Sequence, residues 1–128
     1  MYKQALVAGT LLAALAVILG AFGAHALKAI LPPDQLLVFE TGVRYQFYHC
    51  FALIACGIVY PSFPFKQVKT AATFFITGIV MFSGSLYLMT LMSTTGRSLG
   101  PIGIITPIGG LCFIIGWILL MTAFIKRK

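Results

Sequence analysis

Acidic side chains are nearly missing from this sequence: two Asp and Glu stand against nine Lys and Arg in 128 residues, for a formal charge of +7. Charged residues of either sign make up 9% of the chain and hydrophobic ones 60%, with a mean hydropathy of +1.04. A water-soluble domain of this size leaves most side chains near solvent and needs a charged surface, so the composition excludes one. Catalytic signatures are also wanting. There is no paired-carboxylate arrangement and no GxSxG, HExxH or P-loop motif, so no enzymatic activity is expected. Cys50, Cys56 and Cys112 are odd in number and lie inside apolar runs, without CxxC or Cys/His zinc spacing. They read as small buried hydrophobes, and neither a metal nor another cofactor is implied. The basic residues sit at the ends of apolar runs, not in a patch with interleaved aromatics. Nucleic acid is therefore not an expected partner, and the positive charge reads as a topology signal.

What the chain does have is four long apolar runs, approximately residues 5–26, 36–60, 68–92 and 102–125. Each is long enough for the ~20 residues of a membrane helix. Almost nothing remains outside them. The expected fold is an all-α membrane protein, a four-transmembrane-helix bundle forming one domain over residues 1–128. Ala24-His25-Ala26 resembles a signal-cleavage site, but the uncharged stretch before it has the length of a span, so a retained first helix is preferred. Ala16, Gly20 and Ala24, with Gly9 and Ala13 before them, form a small-residue ladder that lets a neighbouring helix approach. Pro32 and Pro33 end the first hairpin, and Asp34 is placed to cap the second helix. The fourth run opens in two ways: a helix that starts before Pro107 and continues through it, or one capped by Thr106 with Pro107 at its first position. Lys3, Lys66, Lys69, Lys126, Arg127 and Lys128 collect on one side, with Lys28 and Arg97 on the other. That bias predicts a multi-pass protein of the cell (inner) membrane with both termini cytoplasmic.

Polarity is concentrated in Phe39-Glu40-Thr41-Gly42-Val43-Arg44-Tyr45-Gln46-Phe47-Tyr48-His49. Counting inward from the non-cytoplasmic loops at 1.5 Å per residue puts His25, Glu40 and Tyr87 ~9 Å deep and Arg44 and Tyr45 ~15–17 Å deep. Ser83 and Ser85 fall at ~12–15 Å, and Thr106 and Gly109 at ~9–14 Å. The polar groups of four runs thus share the outer half of the bilayer. An ionisable residue in a span usually turns toward the bundle or a cavity. A polar pocket is therefore one reading, built from His25, Glu40, Arg44, Tyr45 and Tyr48 with His49, Ser83, Ser85, Tyr87 and Thr106. Glu40 and Arg44 stand four residues apart, the favourable order for an ion pair. The other reading is a snorkelling Arg44 with tyrosines in an interfacial belt. His25 and His49 lie ~13 Å apart in depth, which argues against haem held by the pair.

Four stretches resemble the transmembrane protein 256-like family of small membrane proteins of unknown function: Gly20-Ala21-Phe22-Gly23-Ala24-His25-Ala26-Leu27, the Phe39–His49 segment, Phe82-Ser83-Gly84-Ser85-Leu86-Tyr87, and Thr106-Pro107-Ile108-Gly109-Gly110. They touch all four runs. The resemblance implies a retained first helix and a cell-membrane location, and it carries no reaction. The expectation is a non-enzymatic structural or accessory membrane protein. Its alternative is a small binder or transporter of an anionic or polar solute or lipid headgroup centred on Arg44. A membrane enzyme or redox subunit using Tyr45, His49 and His25 is a weaker third. The lipid bilayer is the expected partner, and a homo-oligomer or a membrane partner stays open.

Overall fold

The computed structural model describes residues 2–96 and 102–126, so Arg97, Ser98, Pro101, Arg127 and Lys128 lie outside the described residues. Four long helical stretches carry the chain. α1 is Lys3–His25, followed by a 3-10 turn at Leu27–Ala29. α2 is Pro33–Val59, with Pro33 as its first residue, where a missing N–H costs nothing. Asp34 does not cap it: the N-cap is Pro32, with no side-chain cap. The carboxylate instead sits in the first turn, near the positive end of the helix dipole. α3 (Lys66–Gly78) and α4 (Gly84–Ser93) run on through a five-residue π segment, Ile79–Ser83, as one helical rod. Gly96, at φ 71°, adopts the left-handed conformation past its end.

α5 is Ile102–Lys126 with Pro107 inside it. This decides the open question at the fourth run. The helix starts before the proline, and Thr106 does not act as a cap. Pro107 lies in the second turn, where it removes the backbone hydrogen bond to the Gly103 carbonyl and its ring crowds that carbonyl.

Lys3–Ala29, Lys66–Ser93 and Ile102–Lys126 are long and apolar enough to cross a membrane. α2 is as long, at 27 residues, but Glu40, Arg44, Gln46 and His49 dilute its hydrocarbon. It is nonetheless the centre of the packing. α1 lies along α2, and the α3–π–α4 rod packs against both α2 and α5. α1 and α5 share no extensive contact, so the helices form a row and do not close into a ring. The buried row on α1 is Ala5, Gly9, Ala16 and Gly23, close to a seven-residue repeat. Ala24, a rung of the expected ladder, is exposed. One half of the row is hydrocarbon: Ala52, Leu53, Cys56, Val68, Ala72 and Phe75 are all buried to 2% exposure or less. Cys50 is buried there too, and Cys112 is half-buried. Large apolar side chains such as Val17, Ile18, Ile104 and Ile125 stand out from the helices, as lipid-facing groups do.

Candidate functional site

The other half of the row holds a seam of neutral hydrogen bonds between helices. Gln46, on α2, donates through Nε2 to the Leu12 carbonyl of α1 at 2.7 Å. Its Oε1 accepts the Tyr87 hydroxyl of α4 at 2.6 Å. Ser83, in the π segment, donates to the Gly42 carbonyl of α2 at 2.7 Å. Ser85 on α4 and Thr106 on α5 share a hydroxyl contact of 2.5 Å. Together these four links join all four helical stretches. Among the described residues, no buried side-chain nitrogen or oxygen lacks a partner.

Local sequence explains the seam. A β-carbon at Gly42 would press on the Tyr87 ring, and one at Gly109 would overlap the backbone nitrogen and Cα of Phe82. The α3–π–α4 rod is therefore held between two glycines, one on each neighbouring helix, with α4 against Gly42 and the π segment against Gly109. Their missing side chains let it come close enough for Ser83 to reach the Gly42 carbonyl.

His49 is buried on the same helix, one turn past Tyr45. Its Nδ1 lies 2.7 Å from the Tyr45 carbonyl and its Nε2 accepts the Trp117 indole N–H at 3.1 Å. A carbonyl only accepts, so Nδ1 carries the proton. Both nitrogens are then engaged in a neutral ring, which stacks on Phe113 with centroids 3.5 Å apart and an interplanar angle of 7°. Beside it, between α2 and α5, is a cleft of about 740 Å³ lined by Tyr45, Tyr48, His49, Phe82, Phe113 and Trp117, among others. The Tyr45 ring packs on Phe82 at 4.8 Å and on Tyr48 at 5.7 Å.

The expected polar residues are thus divided. Ser83, Ser85, Tyr87 and Thr106 enter the seam, and Tyr45, Tyr48 and His49 line the cleft. His25, Glu40 and Arg44 are exposed. Among the described residues Glu40 and Arg44 form neither an ion pair nor a hydrogen bond. Also among the described residues, no three His, Cys, Asp or Glu side chains converge as a metal site would require. Two residues important to the geometry, Gln46 and Trp117, were not singled out by sequence. Gln46 carried a usable signal: an amide mid-run, on the helical face of Phe39, Gly42 and Leu53. Trp117 carried none, since its partner lies 68 positions away.

Helices of this length and apolarity, joined by neutral interhelical bonds, define an all-α membrane protein. A family model described as "Protein of unknown function (DUF423)" matches residues 19–110. The chain belongs to this family, whose curated relatives carry the name UPF0382 membrane protein. It is 39% identical over 125 residues to UPF0382 membrane protein YwdK of Bacillus subtilis (strain 168), covering 97% of this chain and 98% of the relative. It is 40% identical over 124 residues to UPF0382 membrane protein SAB0533 of Staphylococcus aureus, covering 97% of each. A Haemophilus influenzae relative is 38% identical over 112 residues, 88% of this chain and 86% of the relative. No solved structure matches.

Proposed function

We propose that this chain is a multi-pass protein of the cell membrane, one domain of four spans with both termini cytoplasmic, which serves as a non-enzymatic structural or accessory component. The observation that carries this reading is the seam. Nearly all interior polar groups are committed to holding helices in register, and His49, the best-placed acid–base group, has both nitrogens engaged. The partners are the bilayer and, on this reading, another membrane protein or a second copy meeting the exposed apolar faces. The resemblance to transmembrane protein 256-like proteins fits as a related name for small four-span chains. The orientation rests on Lys3, Lys66, Lys69 and the basic tail sharing one side.

Two experiments test it. Replacing Gln46 with Leu removes two interhelical bonds and leaves the Tyr87 hydroxyl without its acceptor, a loss of about 1–3 kcal/mol at the ~0.6–1.7 kcal/mol measured per bond in membranes. Thermal unfolding in detergent should show this, while Arg44→Met melts close to wild type. A Gln46→Leu variant that melts with the wild type sinks the structural reading. For orientation, Ser62 lies exposed in the turn before α3. Ser62→Cys should react with a membrane-impermeant maleimide only after the cells are permeabilised, and labelling of intact cells overturns the topology.

A further inference from the structure

The cleft between α2 and α5 takes no part in the seam, and its shape, walls and neighbouring charge point to one kind of occupant. Its volume of about 740 Å³ falls in the roughly 300–1,000 Å³ range of pockets that hold small ligands. It opens sideways: Leu111, Ile114 and Trp117 line it and are themselves 55%, 57% and 47% exposed. An occupant therefore enters from the hydrocarbon of the bilayer. From Pro107 to Trp117 the cleft extends ~15 Å along α5, long enough to lay an acyl chain against aromatic rings.

Charge selects among lipids. Arg44 precedes Tyr48 by four residues, which places it ~6 Å nearer the Pro33 end of α2 and turned by about 40° from Tyr48, at the edge of the cleft away from His49. It is exposed and has no counter-ion among the described residues. A cation within a span is costly unless something neutralises it. Glu40 does not, and at about 80° from Tyr48 it is turned farther from the cleft. The hydroxyls of Tyr45 and Tyr48 make no hydrogen bond within the described chain and add donors below the guanidinium. A quaternary ammonium would suit the aromatic walls, but not beside Arg44 on a chain of charge +7. We propose that this cleft binds an anionic phospholipid, with an acyl chain along Phe113 and Trp117 and its phosphate met by Arg44, whose long side chain snorkels from ~15 Å depth toward the Pro33 end of α2. The site is independent of the seam, so this proposal and the structural reading above can fail separately.

Trp117 is the only tryptophan and lines the cleft, so its fluorescence reports lipid contact there above a background from its exposed side, which the two lipids share. The full chain is titrated in neutral detergent with brominated phosphatidylglycerol or brominated phosphatidylcholine, whose acyl bromines quench on contact. Phosphatidylglycerol should quench half-maximally at a mole fraction about five-fold lower, the advantage of one Arg–phosphate attraction. Arg44→Gln should bring the two lipids level. Gly110→Leu should weaken both, because Gly110 lines the cleft and a β-carbon there meets only the Phe82 ring at 3.7 Å. Equal quenching by both lipids in the wild type overturns the proposal. So does a phosphatidylglycerol preference that survives Arg44→Gln, which would place the selecting charge elsewhere, or one untouched by Gly110→Leu.

Discussion

Gln46 and Arg44 stand two residues apart on the same helix, yet one is 3% exposed and bonded to two other helices while the other faces outward without an ionic partner. At 100° per residue they point about 200° apart, to opposite faces of α2. The difference reflects the relative costs of burying an amide and an ion. An amide offers a donor and an acceptor, and both can be matched by a carbonyl and a phenol. A guanidinium taken out of polar surroundings needs a full counter-charge and several acceptors. With only two acidic residues in the chain, no interior partner is at hand. The inward face of α2 is therefore neutral, and its charge is left to the outward face.

The largest effect should come from forcing the inward side apart. A β-carbon at Gly109 would overlap the Phe82 backbone, which cannot swing away as a side chain can. Gly109→Ala should cost about 1–3 kcal/mol, the range for overpacking, read as a lower melting midpoint in detergent. Its neighbour is the control. At Gly110 the nearest atoms to a new β-carbon are Phe82 ring carbons at 3.7 and 3.9 Å, an ordinary contact. Gly110→Ala should be neutral, or stabilising by up to about 1 kcal/mol through helix propensity. If the two variants melt alike, α5 does not press on the π segment as described.

Much of this architecture was legible in the sequence, because apolar run length and proline punctuation act over short distances. Runs at 5–26, 36–60, 68–92 and 102–125 became Lys3–His25, Pro33–Val59, Lys66–Ser93 and Ile102–Lys126 within a few residues. Direction around the helices was legible only in part. α1 and α5 are apolar on nearly every side, so no amphipathic stripe marks their inward faces, whereas α3 sets exposed Lys66, Lys69, Thr73 and Thr77 against buried Val68, Ala71, Ala72 and Phe75. Counting inward fixed the height of a residue but not its bearing. Glu40 and Arg44 therefore counted to depths like those of Ser83, Ser85 and Tyr87, although they point elsewhere. The Ser83-Gly84-Ser85 stretch marked where helices touch, while the close packing of the rod beside it depends on Gly42 and Gly109, distant in the chain on the two neighbouring helices.

A paired comparison sharpens the contrast between the two faces at the smallest scale. Ser85 and Thr106 are in contact across α4 and α5, so a double-mutant cycle with Ser85→Ala and Thr106→Val should give a coupling of about 0.6 kcal/mol, and no more than roughly 1.7, as measured for such bonds between membrane helices. The same cycle with Glu40→Gln and Arg44→Met tests the outward face, where i,i+4 spacing allows an ion pair that the structure does not form. Its coupling should fall below about 0.3 kcal/mol, at or under the weak end for exposed pairs. Each single change should also stay within about 0.5 kcal/mol of wild type. A larger coupling would mean that Arg44 bends back to Glu40 in the bilayer, and the guanidinium would then be neutralised from within α2 rather than by an anionic lipid. Melting midpoints of the four variants and their two doubles, at two ionic strengths, separate these cases, because an exposed ion pair weakens with salt while a hydroxyl contact between helices does not.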